Sequence, residues 1–190
     1  MKQNFYEVQS PFQKDELDSI IEKYSVDLPP LRVVEDPNNN YSKSYRIGDG
    51  TWIQEPNIIN NRFKKIVEGI TGLPIENQEA THFVRYGIGG KYDTHNDYFH
   101  PSSPSHEQHI KRGGNRVFSA ILYLNDGFKG GETDFPDVKL RITPSAGKIF
   151  VWRNLTPDGK LWPESRHAGL PVTEGTKYIA IIWVRENKFT

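Results

Sequence analysis

From about residue 78 onward, the chain consists of short runs rich in β-branched and aromatic residues, separated by clusters of glycine, proline and asparagine. Runs of this length and composition, bounded by turn residues, predict β-strands. The predicted strands are residues 80–86, 116–124, 140–143, 148–151 and 177–184. A succession of short strands that follows a helical segment is typical of a barrel or jelly roll with helical supports.

Two helices are predicted in the first third of the chain. Ser10 and Pro11 are suited to cap and begin the first helix. Apolar residues at helical spacing predict the second helix over residues 56–70. We therefore expect a mainly β fold with some α, in which residues 1–75 form a helical support and residues 76–190 form the core of one compact domain.

The amino-acid composition excludes several kinds of chemistry. The chain has no cysteine, which excludes disulfides, thiolate catalysis, zinc fingers and iron–sulfur clusters. Any metal must therefore be bound by histidine and carboxylate side chains. Lys and Arg number 24 and Asp and Glu number 24, and this balance argues against a nucleic-acid or polybasic membrane binder. Residues 1–10 show no secretory leader, and we expect a cytoplasmic protein.

The metal ligands that the sequence offers centre on one short motif. Asp97 stands two residues after His95, and residues i and i+2 of an extended strand share a face. Two imidazoles and one carboxylate form the facial triad of non-haem Fe(II) oxygenases, and His167 could supply the second imidazole. The motif by itself is weak, because a histidine in a β protein more often has a structural role.

Two other classes of protein are compatible with the same three ligands. A cupin-like isomerase or hydrolase could hold zinc or manganese with them. A non-catalytic jelly-roll binding module is the other alternative, because one fold serves many functions.

Lys177 begins a predicted strand in which every second residue shares its face, together with Ile179, Ile181 and Trp183. A lysine on an apolar face is costly to bury unless an anion meets it. The pattern leaves two interpretations open. Either the side chain lies at the strand end and reaches water, or it binds a carboxylate deep inside a barrel.

Several short blocks follow one another along the second half of the chain. They are residues 86–92, the His95-x-Asp97 pair, residues 115–116 leading to 122–125, then 130–136, 144–148, 166–168, 171–177 and 183–185. In these blocks and their order, the segment from Tyr86 to Val184 resembles the catalytic domain of the prolyl 4-hydroxylases, in the Fe(II)/2-oxoglutarate dioxygenase superfamily. Ordered agreement of this kind is more specific than a single motif. A stand-alone microbial or viral member is the better comparison, because the collagen-type enzymes carry cysteines and extra domains.

The resemblance implies a double-stranded β-helix (jelly-roll) core and a complete cofactor site. His95, Asp97 and His167 would bind Fe(II). Lys177 matches the basic residue that pairs with the distal carboxylate of 2-oxoglutarate.

The resemblance also implies roles for residues around the metal. Tyr123 and Tyr86 match tyrosines on the cosubstrate side. Arg116 falls where some members contact their substrate, and Trp183 matches an aromatic residue near the metal. Further aromatic residues that could line a substrate groove are Tyr98, Phe99, Trp152 and Trp162.

The implied activity is Fe(II)- and 2-oxoglutarate-dependent hydroxylation of an unactivated C–H bond, with C4 of a peptidyl proline as the first candidate and release of succinate and CO2. O2 is the other cosubstrate, and ascorbate sustains turnover in the collagen-type relatives. The expected partner is a proline-containing protein or peptide, not nucleic acid or a membrane. Free proline, another amino acid and another protein side chain are the alternatives, because this superfamily uses one core for many substrates.

Residues 99–115 follow the ligand motif directly and show no helix or strand pattern. A loop of this length in a compact domain is usually functional or mobile. We expect a lid that closes over the substrate. His100, His106 and His109 lie in this segment and are expected to be exposed loop residues rather than metal ligands.

Overall fold

The computed structural model describes residues 4–9, 11–31, 42–53 and 57–190. The strands in these residues form two sheets that pack face to face and one short additional pair. They are β1 (Phe5–Val8), β2 (Arg46–Ile47), β3 (Asp49–Ile53), β4 (Thr81–Tyr86), β5 (Lys91–His95), β6 (Arg116–Tyr123), β7 (Lys129–Gly130), β8 (Thr133–Phe135), β9 (Leu140–Ile142), β10 (Ile149–Arg153), β11 (His167–Gly169), β12 (Val172–Glu174) and β13 (Lys177–Arg185).

The larger sheet has six strands in the order β1-β10-β6-β13-β4-β3, and the smaller has five in the order β2-β5-β11-β8-β9. The strand pairs in the described residues are antiparallel. Strands far apart in sequence are neighbours in both sheets, as β6 and β13 are in the larger and β5 and β11 in the smaller. The fold is therefore mainly β, and its sheets bring distant side chains together.

The five predicted strands form within one or two residues of their expected ends, as β4, β6, β9, β10 and β13. The alternation in β13 has the predicted effect. Ile179 packs in the cluster between the sheets, whereas Ala180 and Ile182 pack on the opposite face.

The helices in the described residues are α1 (Lys14–Tyr24), α2 (Ser42–Tyr45), α3 (Ile58–Thr71) and α4 (His106–Ile110). Helix α1 begins later than the sequence predicts. Pro11 precedes it, and the backbone N–H of Gln13 donates to the carboxylate of Glu16 at 2.9 Å, which fixes the first turn at that point. Ser10 and Pro56, the predicted helix starts, lie outside the described residues.

Helix α3 has well-defined ends. The side chain of Asn57 accepts hydrogen bonds from the backbone N–H groups of Ile59 and Asn60, at 2.8 and 3.1 Å. Gly72 ends the helix with a φ of 70°, a left-handed conformation that glycine adopts without strain. None of the helices in the described ranges is long and apolar enough to cross a membrane.

Two apolar clusters hold the layers together. The first joins α1 and α3 to the outer face of the larger sheet, and its members include Leu17, Ile20, Phe63, Val67, Leu122 and Ile182. The second lies between the two sheets and includes Val84, Tyr86, Tyr123, Phe135, Ile142 and Ile179. Burial of such side chains is the main contribution to the stability of a fold of this kind.

Three strands lie in the part of the chain for which the sequence predicts only helices. β1 and β3 form the two edges of the six-stranded sheet, and β2 lies at an edge of the smaller sheet. These strands are too short, and too irregular in polarity, to be recognised by alternation. Gly48 joins β2 to β3, and a Cβ there would lie 2.8 Å from both the carbonyl oxygen of Arg85 and the ring of Tyr86. The first third of the chain therefore contributes strands as well as helices.

Candidate metal centre

Three potential metal ligands meet on two neighbouring strands of the smaller sheet. His95 ends β5, Asp97 follows it, and His167 begins β11. The ladder pairs His167 with His95 directly. One ligand atom from each of the three residues lies within 4.8 Å of the others, and no other group of this kind is found in the described residues. The predicted triad is thus brought together.

The orientation of both imidazoles leaves the same nitrogen free. Nδ1 of His95 lies 2.8 Å from the carbonyl oxygen of Asp93, and Nδ1 of His167 lies 2.9 Å from that of Ser165. A carbonyl oxygen only accepts hydrogen bonds, so Nδ1 carries the proton in each ring. The lone pairs of the Nε2 atoms then face Asp97, at 3.6 Å from its Oδ1 for His95 and 3.7 Å from its Oδ2 for His167.

The electrostatics of Asp97 and His167 suit metal binding. Burial alone would raise the pKa of the Asp97 carboxyl, but the imidazoles of His167 and His95 outweigh burial and hold this pKa below its usual range. Burial lowers the pKa of His167 to about 4. At neutral pH the site therefore offers a carboxylate and a neutral imidazole, the forms that bind metal ions.

Residues outside the triad hold its members in place. The hydroxyl of Ser119 donates to Oδ2 of Asp97 at 2.6 Å, and Nδ2 of Asn154 donates to that hydroxyl at 2.8 Å. On the other side, Nδ2 of Asn96 donates to the hydroxyl of Ser165, two residues before His167. No sequence pattern marks Ser119, which lies in the middle of an apolar strand, or Asn154, which directly follows one.

A cavity between the sheets extends from the triad to Lys177. Its apolar wall includes Ile121 and Ile179, and Tyr86 and Thr133 line it near Lys177. A few convergent polar groups in a cavity with apolar walls are typical of sites for small ligands.

Lys177 is buried and points into this cavity rather than into water. Its ammonium group donates to the carbonyl oxygen of Gly131 at 2.6 Å, and no carboxylate of the described residues forms an ion pair with it. Burial lowers the pKa of the Lys177 ammonium to about 7, although the Glu132 carboxylate opposes the shift. A buried lysine ammonium that contacts no anion favours binding of the carboxylate group of a ligand.

The two predicted cosubstrate tyrosines lie on either side of Lys177. Its ammonium nitrogen is 5.5 Å from the ring centre of Tyr86 and 5.6 Å from that of Tyr123. Tyr86 lines the cavity, whereas the hydroxyl of Tyr123 lies 2.7 Å from the hydroxyl of Thr133, which does line it. A direct role of either tyrosine toward the cosubstrate stays a prediction.

The predicted substrate residues occupy different positions. Trp152 and Trp183 line the cavity, and Tyr98, Phe99 and Trp162 do not. Arg116 is not part of the lining either, because its guanidinium forms a two-point ion pair with Glu79, at 2.7 and 2.9 Å. The guanidinium stacks on the ring of Trp183 at 4.0 Å. Arg116 therefore supports a cavity wall from behind.

Arg46 and Tyr92, two cavity residues beside the triad, were not singled out as site residues from the sequence. Arg46 is buried, and its Nε and Nη2 have no hydrogen-bond partner within the described part of the chain. Its guanidinium lies 4.5 Å from the ring centre of Tyr92, and Tyr92 stacks on the imidazole of His95 with centroids 3.5 Å apart. Tyr92 lies in the first block of the family resemblance. No sequence pattern marks Arg46.

Residues 99–115 contain helix α4, which the sequence did not predict. The two ends of the segment are joined, because the amide of Asn115 donates to the carbonyl of Phe99 at 3.0 Å and accepts from its N–H at 2.8 Å. Phe99 is buried and stacks on His109. None of the three histidines of this segment joins the metal group of the described residues. Closure of the segment as a lid stays a prediction.

The fold and this site define a class of enzyme. The family model described as the 2OG-Fe(II) oxygenase superfamily matches residues 81–185, which contain the three ligands and Lys177. The match covers more than half of the chain, and the class is therefore that of the 2-oxoglutarate-dependent Fe(II) oxygenases.

Within this superfamily, the relatives that the chain resembles are named prolyl 4-hydroxylases. The "Putative prolyl 4-hydroxylase" of Acanthamoeba polyphaga mimivirus is 36% identical over 152 residues, which cover 78% of this chain and 62% of the relative. Prolyl 4-hydroxylase subunit alpha-1 of Bos taurus is 31% identical over 143 residues, which cover 75% of this chain and 27% of the relative. The chain thus spans less than two thirds of the length of these relatives.

Solved structures share the fold over nearly the whole chain. The viral collagen prolyl hydroxylase of Paramecium Bursaria Chlorella virus-1, solved as a 2OG complex, is 25% identical, with a TM-score of 0.73 and coverage of 97% of both chains. A Pseudomonas putida prolyl-4-hydroxylase is 18% identical, with a TM-score of 0.67 and coverage of 98% of this chain and 94% of the other. The second similarity concerns the fold alone.

Proposed function

We propose that this protein is an Fe(II)- and 2-oxoglutarate-dependent dioxygenase that hydroxylates C4 of a peptidyl proline and releases succinate and CO2. The observation that carries the proposal is the position of a His-Asp-His triad and a buried lysine at the two ends of one cavity. The names of the relatives and of the virus enzyme solved with 2OG support the same reaction.

His95, Asp97 and His167 would hold the iron. The donor set fits Fe(II), because two neutral imidazoles and one carboxylate bind on one side of the ion and leave the other side open. When bound, Fe(II) supplies the activation of O2, with electrons from the oxidative decarboxylation of 2-oxoglutarate. The same ligands would also suit zinc in a cupin-like enzyme, but such an enzyme has no need of the buried lysine.

Lys177 would bind the distal carboxylate of 2-oxoglutarate. Its ammonium group lies in a dry environment, where a charge-assisted hydrogen bond is strong. Ile121 and Ile179 exclude water from the space between lysine and triad. The hydroxyl groups of Tyr123 and Thr133, which bond to each other, can satisfy a remaining lone pair of the carboxylate.

The donors in the cavity wall favour a peptide substrate. Arg46, Trp152 and Trp183 line the cavity with N–H groups that have no partner in the described ranges. A peptide that contains proline offers carbonyl acceptors but lacks the N–H donor at each proline. Beside the cavity, the half-exposed ring of Trp52 stacks on His82 and lies 6.2 Å from Trp183, which forms an aromatic surface for a proline ring.

We also propose that residues 1–75 and 76–190 form one compact jelly-roll domain in which α1 and α3 support the core. The apolar contacts of both helices with the larger sheet favour this organisation. Limited proteolysis tests it. A chain that unfolds as one cooperative unit should leave no protease-resistant fragment that corresponds to residues 1–75 or to residues 76–190.

The experiment that tests the reaction is anaerobic reconstitution with Fe(II) and 2-oxoglutarate, followed by addition of O2 and measurement of succinate. A proline-rich peptide is compared with the same peptide in which alanine replaces each proline, with free proline, and with and without ascorbate. We expect succinate, and a gain of about 16 Da in the mass of the peptide, with the proline-rich peptide but not with the alanine peptide or free proline. Turnover with free proline only would assign the alternative substrate. Absence of O2-dependent succinate with every compound, from a chain loaded with iron, would contradict the proposal.

A further inference from the structure

We propose that Ser119 and Asn154 are positioning residues that fix the orientation of the Asp97 carboxylate and thereby set the affinity of the site for a divalent metal. The inference deepens the proposed function, and it rests on its metal site but not on its cosubstrate or substrate. Three observations carry it: the place of Ser119 in the sheet, the direction of the hydrogen bonds, and the fixed backbone of Asn154.

Ser119 is a small residue between two large ones in its row of the sheet, which leaves room for the carboxylate. The register pairs Ser119 with Trp152 on β10 and with Trp183 on β13, so these three side chains share the inner face. Ser119 is completely buried between the two indoles. Its hydroxyl reaches Oδ2 of Asp97 at 2.6 Å, a short distance typical of a hydroxyl that donates to a carboxylate.

The chemistry of the groups allows only one direction for this chain of hydrogen bonds. An ionised carboxylate accepts and cannot donate, so the hydroxyl proton of Ser119 must point to Asp97. The lone pair of the same hydroxyl is then free to accept, and Nδ2 of Asn154 donates to it at 2.8 Å. The bond from Ser119 fixes the rotation of the Asp97 carboxylate, and the bond from Asn154 fixes the rotation of the Ser119 hydroxyl. Because both bonds point the same way, each polarises the other.

Asn154 is held by its backbone on both sides. Its N–H donates to the carbonyl of Val117 at 2.8 Å, and its carbonyl accepts from the N–H of Trp162 at 3.0 Å. The residue is completely buried. The two hydrogen bonds from Asn154 through Ser119 to Asp97, here called the relay, therefore connect the metal ligand to a fixed backbone position directly after β10.

Loss of the relay should act on the metal rather than on the fold. The χ2 torsion of an aspartate is soft, so a carboxylate without this bond can rotate away from the position that the two imidazoles require. Partners that orient metal ligands typically contribute 10- to 100-fold in affinity. We expect a loss of about this size for Ser119→Ala.

The test is a titration with Co(II), followed by visible absorption and calorimetry, in the absence of 2-oxoglutarate and peptide. The variants are Ser119→Ala, Asn154→Leu, the double variant, and Ser119→Thr, which keeps the hydroxyl. Thr81→Val is the matched control, because it removes another fully buried hydroxyl bond, that between Thr81 and Asn60, away from the site.

The relay predicts the order of the variants in Co(II) affinity, as well as the loss of affinity in Ser119→Ala. Asn154→Leu should weaken Co(II) binding less than Ser119→Ala, and the double variant should bind like Ser119→Ala, because Asn154 acts only through the hydroxyl. Ser119→Thr, which keeps the hydroxyl but adds a methyl group at a tightly packed position, should bind Co(II) more tightly than Ser119→Ala. Additive losses in the double variant, or a Ser119→Ala that binds Co(II) as well as Thr81→Val, would overturn the inference.

Two further outcomes separate this inference from a folding defect and from the proposed reaction. If Ser119→Ala does not fold, the comparison of Asn154→Leu with Thr81→Val decides, and equal affinities overturn the inference. If the chain produces no succinate with any substrate but Co(II) affinity follows the predicted pattern, the inference stands while the proposed reaction fails.

Discussion

His167 faces His95 across the antiparallel ladder of β5 and β11, and the centroids of the two imidazole rings lie 4.4 Å apart. A strand advances by about 3.3 Å per residue, and its side chains alternate between faces. A slip of one residue in this ladder would therefore carry one imidazole to the opposite face of the sheet. The register of these two short strands is thus a condition for the metal site.

Replacement of the ligands should abolish the reaction. Asp97→Ala or His167→Ala leaves two ligands, too few to hold Fe(II) in this geometry. We expect no O2-dependent succinate from either variant, and a chromatographic assay of succinate checks this. His100→Ala is the matched control, since His100 is exposed and bonds to Ser102. Turnover at the parent rate in Asp97→Ala would exclude the triad.

Lys177 should control cosubstrate binding far more than metal binding. Lys177→Met keeps the length of the side chain but removes the charge that would meet the distal carboxylate. We expect the KM for 2-oxoglutarate to rise about 100-fold, since an unpaired buried carboxylate costs about 3 kcal/mol or more. Co(II) affinity should stay close to that of the parent. Equal losses in both measurements would instead give the lysine a purely structural role.

The affinity for 2-oxoglutarate should fall as pH rises above 7. Burial lowers the pKa of free Lys177 to about 7, so the side chain is increasingly neutral above that pH. The dicarboxylate binds the charged form, and binding must therefore take up a proton. Once pH exceeds the pKa, the dissociation constant should rise about tenfold per pH unit. Calorimetry in buffers of different ionisation enthalpy checks the proton uptake, which Lys177→Met should lack.

The same lysine predicts how stability depends on pH. The pKa of Lys177 lies lower in the folded chain than in the unfolded one, where it is near 10.5. Between about pH 7 and 10, the unfolded state therefore binds more protons, and the free energy of unfolding should rise with pH through this contribution. Urea titrations of the parent and of Lys177→Met isolate it, because the variant lacks the group. An identical pH dependence in both proteins would contradict the assignment.

Glu79 should be essential for the stability of the fold. Its carboxylate binds two guanidinium groups, with 2.7 Å to Nε of Arg116 and 2.6 Å to Nε of Arg185. Glu79→Gln leaves both cations buried without an anion, and we expect the free energy of unfolding to fall by about 3 kcal/mol or more. Urea denaturation measures this. Glu174→Gln, in an exposed ion pair with Lys129, should change it by less than about 1 kcal/mol.

Closure of residues 99–115 over a bound peptide should protect this segment from trypsin. The exposed Lys111 follows α4 and is a natural cleavage site. We expect cleavage there to slow when Co(II), 2-oxoglutarate and a proline peptide are present together. Cleavage at the exposed Lys160, in a turn far from this segment in sequence, serves as the internal control. If both sites are cut at unchanged rates, the segment is not a lid.

The sequence predicts the longest apolar strands, and it misses most of those that are short or polar. β13 is a nearly continuous apolar run, and its ends are predicted within one residue. β5 and β11, which carry the ligands, have five and three residues and no apolar alternation. The spacing of His95 and Asp97 is visible in the sequence. The partnership with His167 came from the family resemblance, because no local rule determines which distant strand completes a ladder.

For a similar reason, the residues that support the site could not be predicted from the local sequence. Ser119 and Arg46 owe their roles to what lies opposite them in three dimensions, namely a carboxylate and an open cavity. Arg116 illustrates the converse. The family resemblance implied a contact with substrate, whereas Glu79, on the segment that leads into β4, binds its Nε and Nη2.

The ladder between β5 and β11 also determines when a newly made chain can acquire iron. His95 and Asp97 alone form a weak two-point chelate, and the third donor arrives only after a distant strand has crossed to join them. Pairing of this kind forms late compared with local helices. We therefore expect tight iron binding only after these two strands have paired, which would keep a redox-active ion away from a chain that is still folding.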